Sequence, residues 1–330
     1  MQIKNWNRQH DSLLRIKKSG IVVEDVVIKD NEDYIIYSDT EKELKEGKQF
    51  SDKQKHFLNK NNEFKALCSD LGGFINMIYT KNELLFNRIN IDKANISRII
   101  YLATYIDYNN RKEGLLIYQT KNEDGQFQQN KEMSRADIRN VLGLTDSTFK
   151  RFLKDVKDNN LLFEVDGKFY INTDYFNKGD MPKKMEDDKS YCRLFINTIR
   201  DLYEGTKSTK HKVLSNVFQL IPYVHYEHNI VCHNPNETSD IPKAITLTEL
   251  CEMLGVAYEN RSKLAKQLYE FKVTIKEEDY HLFSYVILNA QYDYFVVNPL
   301  VIYAGNNLEA MIRTSKSLFF NEYTHRQKRK

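Results

Sequence analysis

Apolar residues recur at helical spacing among polar residues in 134–160, and this pattern predicts two short helices there. Ile138 and Leu142 recur four positions apart behind Ser134, a residue type that commonly caps the start of a helix. Gly143 is expected to end the first helix, because glycine readily adopts the left-handed conformation that follows a helix. The pattern therefore predicts a tight turn at Gly143 and a second helix directly after it.

The second helix of this pair is predicted to be amphipathic. Thr145 or Ser147 is expected to cap its start. Its apolar face consists of Phe149, Phe152, Leu153 and Val156, and its outer face of Ser147, Thr148, Lys150, Arg151, Lys154 and Lys157. Two helices joined by a tight turn, with basic side chains along the outside of the second, are typical of a helix-turn-helix.

A β-hairpin is predicted immediately after these helices. Residues 161–165 are mostly apolar, Asp166 and Gly167 are typical of a two-residue hairpin turn, and residues 168–172 are rich in aromatic and β-branched side chains. A helix-turn-helix followed by a hairpin is the winged-helix arrangement, with the hairpin as the wing. The alternative is a helical hairpin packed on some other small sheet, with the basic residues only solvating its surface.

The same order of elements recurs farther along the chain. An asparagine precedes a glycine by seven positions in both places, Asn172 before Gly179 and Asn298 before Gly305. Because insertions are tolerated between elements, unequal offsets are compatible with a duplicated winged-helix domain. Three segments match, at offsets of 118, 112 and 126 residues: "YIDYNN" (105–110) with "YVHYEH" (223–228), "SRADIRNVLGL" (134–144) with "TLTELCEMLGV" (246–256), and "INTDYFNKGD" (171–180) with "VNPLVIYAGN" (297–306).

The second copy carries its own helix and hairpin signals. Thr246 and Glu249 have the spacing of a capping box, and Gly255 is expected to end the first helix of the pair. A longer wing is predicted at 280–298, where apolar and polar residues alternate. The next helix is predicted to bury Leu264, Leu268 and Phe271 and to expose Asn260, Arg261, Lys263, Lys266 and Gln267.

These patterns predict an α+β protein made of two tandem winged-helix domains with a small N-terminal extension. Helical spacing of apolar residues further predicts helices within 74–89 and 94–108, and one from about Tyr191 to Tyr203. We predict these boundaries: an extension of unassigned role at 1–70, winged-helix domain 1 at 71–180, a linker at 181–190, winged-helix domain 2 at 191–306, and a basic tail at 307–330.

Composition narrows the possible function classes only slightly. The 330 residues carry a formal net charge of +3, so an argument for a polyanionic partner must rest on local clusters. No apolar run approaches the ~20 residues that span a bilayer, and the first residues lack the apolar core of a secretory signal. The four cysteines are scattered, with no paired spacing. We therefore expect a cytoplasmic protein without a membrane partner.

Signatures of catalysis are missing from the sequence, including the phosphate-binding loop, the nucleophile elbow and the zinc-protease helix. The stretch "HYEHNIVCH" contains His225, His228, Cys232 and His233, which are residue types that bind zinc. Because the matching segment of the first copy has no such residues, surface histidines are the preferred interpretation and a metal site is the alternative. We predict a protein that is not an enzyme and needs neither a cofactor nor a metal.

Basic residues are concentrated in the first helix pair, where residues 134–157 hold six basic and three acidic residues. Lys150 and Arg151 lie on the exposed stripe of the second helix, with Ser147 and Thr148 at its start, the end that helix-turn-helix proteins place against the bases. Arg151 is predicted to read a base. Arg135, Arg139 and Lys168 are predicted to lie over the phosphate backbone. The complete predicted set of DNA-contacting residues is Arg135, Arg139, Ser147, Thr148, Lys150, Arg151, Lys154, Lys168, Asn260, Arg261, Lys263, Lys266 and Gln267.

Two winged helices in tandem resemble the plasmid and phage replication initiators of low-GC Gram-positive bacteria. The tract "LLFEVDGKFYINTDYFNKGD" is similar to the wing and exit segment of RepL-type initiators, in which a hairpin leads into an asparagine-containing stretch and then a Lys-Gly pair. The resemblance covers residues 95–180 and, more faintly, 190–306. It implies DNA binding more directly than replication, because winged-helix regulators share the same hairpin.

The function predicted from the sequence is therefore sequence-specific binding of double-stranded DNA by a replication-initiator-type protein of a phage or plasmid. A winged-helix transcriptional regulator of a phage or mobile element is the first alternative. A protein–protein adaptor that uses winged helices without DNA is the second. A second copy of the chain, as a homodimer, and replication proteins are further candidate partners.

Overall fold

The fold is described from a computed structural model, which is α+β. The chain divides into two compact units, Met1–Ala66 and Leu67–Lys330. The structure describes residues 25–28, 34–38, 44–48, 66–79, 91–109, 113–121, 127–179, 181, 184, 188, 190–237, 242–275, 277–289, 292–305, 311, 314 and 318–319.

The N-terminal unit contains a small antiparallel sheet. Strand β1 (Asp25–Ile28) pairs with β2 (Tyr34–Ser38), and β2 pairs with β3 (Leu44–Lys48). The sheet order is thus β1-β2-β3, each strand following the last along the chain.

The C-terminal unit alternates helices with short strands. The helices are α1 (Lys93–Ala103), α2 (Arg135–Val141), α3 (Asp146–Asp158), α4 (Ile196–Glu204), α5 (His211–Gln219), α6 (Leu247–Leu254) and α7 (Arg261–Glu270). The strands are β4 (Phe74–Ile78), β5 (Ile117–Lys121), β6 (Phe127–Glu132), β7 (Leu162–Val165), β8 (Lys168–Ile171), β9 (Phe176–Asn177), β10 (Tyr191–Phe195), β11 (Lys272–Ile275), β12 (Glu278–His281), β13 (Phe283–Asn289), β14 (Tyr292–Val297) and β15 (Ile302–Tyr303).

A four-stranded antiparallel sheet joins the first half of this unit (residues 67–179) to the second half (residues 190–305). Its strand order is β15-β10-β4-β9, so each half contributes one central and one outer strand. β4 and β10 pair with Phe74 opposite Phe195 and Ile78 opposite Tyr191. Helices α1 and α5 also pack on each other, and the Ser97 hydroxyl donates to the His211 carbonyl at 3.0 Å.

The two central strands correct the sequence prediction, which gave helices at 74–89 and from about Tyr191. Residues 74–78 and 191–195 are strands, and the helix of the second half begins only at Ile196. The sequences FINMI and YCRLF are short, largely apolar and almost completely buried. Apolar spacing cannot distinguish a short strand buried on both faces from a turn of buried helix.

The predicted helix pair and hairpin of the first half are confirmed as secondary structure. Ser134 accepts the Asp137 N–H and Asp137 accepts the Ser134 N–H, which forms a capping box at the start of α2. Gly143 then has a φ of +63°, as expected for the residue after a helix. Asp166 and Gly167 connect β7 to β8 with φ values of +50° and +76°, the positive values that a tight hairpin turn requires.

The same hydrogen-bond framework recurs in the second half. In each half, a short extended segment forms a backbone hydrogen bond to the hairpin. Leu116 N–H donates to the Phe169 carbonyl at 2.8 Å, and Val231 N–H donates to the Phe295 carbonyl at 2.9 Å. Thr246 and Glu249 form a capping box at the start of α6, and Gly255 follows that helix with a φ of +66°. The predicted longer wing at 280–298 is thus observed as the hairpin β13–β14.

Two hairpins interrupt the repeated framework and were not predicted. β5–β6 precedes α2 in the first half, and β11–β12 follows α7 in the second. The second insertion, together with the longer hairpin β13–β14, accounts for the rise in offset from 112 residues at the helix pair to 126 residues at the end of the wing.

The apolar side chains that the sequence predicts to be buried in the two winged-helix domains form one continuous cluster. Phe152 and Val156 of α3 and Leu264 and Leu268 of α7 all belong to it. The division into two winged-helix domains stays a prediction, and the structure adds that both halves share a sheet and a core. The predicted linker at 181–190 lies mostly outside the described residues.

Candidate nucleic-acid interface

Helix α3 exposes the polar face that the sequence predicted. Phe149, Phe152, Leu153 and Val156 are buried, while Ser147, Lys150, Arg151 and Lys154 are exposed and Thr148 is half-buried. Thr145 is the N-cap residue, but its side chain makes no capping hydrogen bond and instead donates to the Thr148 hydroxyl at 3.0 Å.

The six basic residues of the α2–α3 pair divide into two groups. Arg139 is ion-paired with Asp146, and Lys157 is ion-paired with Glu164 and lies over the Phe169 ring. The other four have no hydrogen bond or ion pair among the residues that the structure describes, namely Arg135, Lys150, Arg151 and Lys154. The second group is free to meet a ligand, whereas Arg139 and Lys157 are already neutralised.

Asp155 fixes α3 against the start of α1. Its Oδ2 atom accepts the Asp92 backbone N–H at 3.1 Å and the Asn95 side-chain amide at 2.6 Å. Asp92 itself caps α1 by accepting the Ala94 N–H at 2.8 Å. The exposed face of α3, one turn before Asp155, is therefore held by hydrogen bonds as well as by its buried side.

The wing residue Lys168 is engaged within the protein. Its Nζ atom lies 2.6 Å from Glu132 Oε1 at the end of β6, and both side chains are about half exposed. This carboxylate also raises the pKa of Lys168, chiefly through the hydrogen bond. A phosphate would have to compete with Glu132 for Lys168, so the lysine is a weaker candidate contact than Arg151.

Helix α7 presents a less basic surface than α3. Lys263 and Lys266 are exposed and lack ion-pair partners within the described ranges, while Arg261 stacks on the Tyr258 ring at 4.1 Å. Asn260 is exposed and Gln267 is half-buried. Residues 246–270, which contain α6 and α7, hold three basic and four acidic residues. The α6–α7 pair therefore carries a net charge of −1, against +3 for residues 134–157.

A basic segment lies between the two helix pairs, outside the predicted set of DNA-contacting residues. We call residues 207–212, "KSTKHK", the lysine bridge. Ser208, Thr209 and Lys212 line a cleft of about 480 Å³ together with Thr148 and Arg151 of α3. Lys207, Lys210 and Gln267 line a second cleft of about 300 Å³ beside α7. The lysine bridge therefore adjoins both helices whose outer faces were predicted to contact DNA.

The cations of the lysine bridge are held loosely. Lys210 Nζ lies 3.6 Å from Glu270 and Lys212 Nζ lies 3.7 Å from Asp92, with all four side chains largely exposed. Pairs of this kind contribute little to stability, so a phosphate can displace them at small cost. The sequence signal was three lysines within six residues, which the helix-turn-helix pattern left aside because they lie around the start of α5, outside both helix pairs.

The histidine-rich stretch forms a turn in which His228 and His233 are exposed, as expected of surface histidines, whereas His225 corrects that expectation. His225 is fully buried, and its Nδ1 atom accepts the backbone N–H groups of Glu227 and His228 at 3.1 and 3.3 Å. Its Nε2 atom lies 3.0 Å from the Glu237 carbonyl, and its ring stacks on His228. His225 is thus fully used in holding the turn. In the described part of the chain, no three metal-binding side chains come together.

Other predictions concern parts of the chain that the structure covers little or not at all. The predicted basic tail at 307–330 lies almost entirely outside the described residues, including its last six. Among the helices that are described, none combines the length and the apolar composition that a bilayer span requires.

Comparison of the chain with protein-family models, curated proteins and solved structures finds no match.

Proposed function

We propose that the chain is a sequence-specific double-stranded DNA-binding protein built from two winged-helix domains in tandem. The observation that supports this most directly is the recurrence of one framework, a capped helix pair and a wing joined by matching hydrogen bonds, with an exposed polar face on the second helix each time. α3 and α7 act as the recognition helices, and β7–β8 and β13–β14 act as the wings.

Within this class we propose a replication initiator of a phage or plasmid. One chain carries two recognition helices, so a single molecule holds two stretches of duplex, which small winged-helix regulators achieve by dimerising. The shared sheet supports this proposal, because it holds the two recognition helices at a fixed position relative to each other. A transcriptional regulator of a mobile element is the alternative within the same class.

The charge distribution supports unequal roles for the two halves. The α2–α3 pair has four cations without an ion-pair partner in the described part of the chain, while the α6–α7 pair is slightly acidic overall. Since affinity for DNA comes mainly from phosphate neutralisation, the first half supplies most of the binding free energy. The lysine bridge adds cations between the two recognition helices.

Selection of bound duplexes from a random pool tests the proposal. The expected product is a site with two conserved blocks, one for each recognition helix, that maps to repeated sites in the source genome. Repeated sites beside the chain's own gene support the initiator, and a single site over a promoter supports the regulator. Failure to enrich any sequence, combined with a flat salt response, would instead favour the adaptor that does not use DNA.

A further inference from the structure

A cleft of about 750 Å³ lies between the first half and α4, away from the residues assigned to DNA. Its volume is in the range that small-molecule sites occupy. The lining residues that matter chemically are Thr104, Tyr105, Tyr118, Lys178, Asn197 and Arg200.

Arg200 is held rigidly at this cleft. Its Nε atom donates to the Thr104 hydroxyl at 2.9 Å, and Nη2 donates to the Thr104 carbonyl at 3.0 Å. The guanidinium plane lies 4.0 Å from the centroid of the Tyr105 ring. These contacts use one edge of the guanidinium, and no described residue accepts a hydrogen bond from its Nη1 end. The charge is therefore fixed in position before any ligand arrives.

Lys178 is the second cation, and the duplication shows that the fold does not require it. Lys178 directly precedes Gly179 at the end of the repeated asparagine-to-glycine segment, and the corresponding residue of the second half is Ala304, directly before Gly305. Ala304 is fully buried, whereas Lys178 extends to the cleft and donates to the Ile106 carbonyl at 2.8 Å. A partly buried lysine is costly, so its presence where the same backbone accepts alanine points to a role in binding.

The two cations outnumber the anions at this cleft, where Asp107 is near Lys178 but is not among the lining residues. Of the residues known to line it in the described ranges, none is a carboxylate. Burial and, to a smaller extent, the Arg200 charge lower the pKa of Lys178 to about 8, with Asp107 partly opposing them. Lys178 and Arg200 are thus close enough to repel each other, and a doubly charged anion between them would relieve that repulsion.

We propose that this cleft binds the phosphoryl group of a phosphate monoester between Lys178 and Arg200, with the rest of the ligand beside Tyr118. A phosphate monoester carries close to two negative charges at neutral pH, which matches the two cations. The half-exposed Tyr118 ring offers a surface for a flat organic group. This inference is independent of DNA recognition by α3 and α7.

Calorimetric titration of the full chain with 5′-AMP, inorganic phosphate and adenosine tests the proposal. AMP is expected to bind with one site per chain, inorganic phosphate more weakly, and adenosine not at all. Lys178→Ala should weaken AMP binding at least tenfold, whereas Lys184→Ala, which removes an exposed lysine of the connection between the halves, should leave it unchanged. Equal binding of AMP by Lys178→Ala and wild type, or no binding by wild type, would overturn the proposal.

Two further measurements separate the alternatives. Lys178→Ala without ligand should unfold at a temperature equal to or above that of the wild type, because Ala304 already occupies the matching position. A clear loss of thermal stability would mean that Lys178 only supports the Ile106 carbonyl, against the proposal. Duplex DNA added to the AMP complex distinguishes the sources of phosphate. No displacement supports a small soluble ester. Displacement of AMP from the wild-type chain by the duplex would assign the cation pair to backbone phosphate and overturn the proposal of a small soluble ester.

Discussion

Asn172 and Asn298 lie 126 positions apart and hold the same turn at the end of the two wings. Each Oδ1 atom accepts a backbone N–H two residues farther on, that of Asp174 at 2.9 Å and that of Leu300 at 3.0 Å. Each side-chain amide donates to a backbone carbonyl, of Asn160 in the first half and of His281 in the second. The turn leads each time into an outer strand of the central sheet, which connects each wing to the shared core.

Replacing Asn298 with alanine should destabilise the chain more than replacing Asn172. Asn298 is fully buried, so its replacement removes the hydrogen bonds to the Leu300 N–H and the His281 carbonyl where water cannot easily substitute, at about 1–3 kcal/mol each. Asn172 is half-buried and water can replace it, so about 1 kcal/mol or less is expected there. Urea unfolding measures both losses of stability, provided that each variant keeps the m-value of the wild type. Equal losses of stability in the two variants would contradict the conclusion that the two asparagines hold matching turns at unequal depths of burial.

Phe152→Ala should weaken both halves of the C-terminal unit together. Phe152 is fully buried in a cluster that also contains Leu264 and Leu268 of α7, and deletion of a buried aromatic ring typically costs ~3–5 kcal/mol. Native-state hydrogen exchange should therefore show reduced protection in α7 as well as in α3. Unchanged protection in α7 would mean that the halves unfold independently despite their common sheet.

Arg151→Ala should relax sequence choice on DNA, while Arg139→Ala should have little effect on it. Arg151 is exposed and free of ion pairs within the described chain, and one base contact is worth ~1–3 kcal/mol. Arg139 is the matched control, because Asp146 already neutralises it. Competition between the selected duplex and a one-block mutant duplex measures the preference. Loss of affinity for both duplexes to the same extent would assign Arg151 to phosphate instead.

Stability and AMP binding should both depend on pH through Lys178. In the folded chain its pKa is about 8, because of burial and the Arg200 charge, partly offset by Asp107. In the unfolded chain the lysine stays protonated to about pH 10.4. The unfolded state therefore binds more protons between pH 8 and pH 10.4, so the free energy of unfolding rises with pH in that window and this contribution is flat below it.

Lys178→Ala should remove this rise in the free energy of unfolding with pH. Thermal melts at pH 7, 8, 9 and 10 measure the rise, with Lys184→Ala as the control. AMP should bind more tightly at pH 7 than at pH 9.5, since Lys178 loses its charge between them. Tyr105 does not interfere, because burial raises its pKa. AMP affinity that is constant over this range would contradict a phosphoryl contact with Lys178.

The α2–α3 pair and its wing could be predicted because their signals are local. Ser134, Gly143 and the Asp166–Gly167 turn each have a short-range physical cause, in capping or in positive φ, and each is found where the sequence places it. The central sheet could not be predicted in the same way. β4 and β10 are paired across more than a hundred residues, and their buried apolar runs lack the alternation that identifies a half-exposed strand.

The candidate interface shows the same limit. The exposed face of α3 follows from helical spacing, but the ion pairs of Arg139 and Lys168 bring together residues from different elements. The lysine bridge is adjacent to Arg151 only because α5 packs on α1. The sequence identifies Lys178 only as part of the Lys-Gly pair of the initiator-like tract, because a role in binding depends on comparison with Ala304 and on the position of Arg200, both of which are distant along the chain.

The salt dependence of DNA binding tests the central claim most directly. Fluorescence anisotropy of the selected duplex should give a slope of log affinity against log salt of about −4 or steeper for the wild-type chain, because each neutralised phosphate contributes roughly −0.9. The triple variant Lys207→Ala, Lys210→Ala, Lys212→Ala should make the slope shallower by about 2 to 3 without changing the preferred sequence, and Lys184→Ala should leave it unchanged. A wild-type slope close to zero would contradict DNA binding itself, and an unchanged slope in the triple variant would exclude the lysine bridge from the interface.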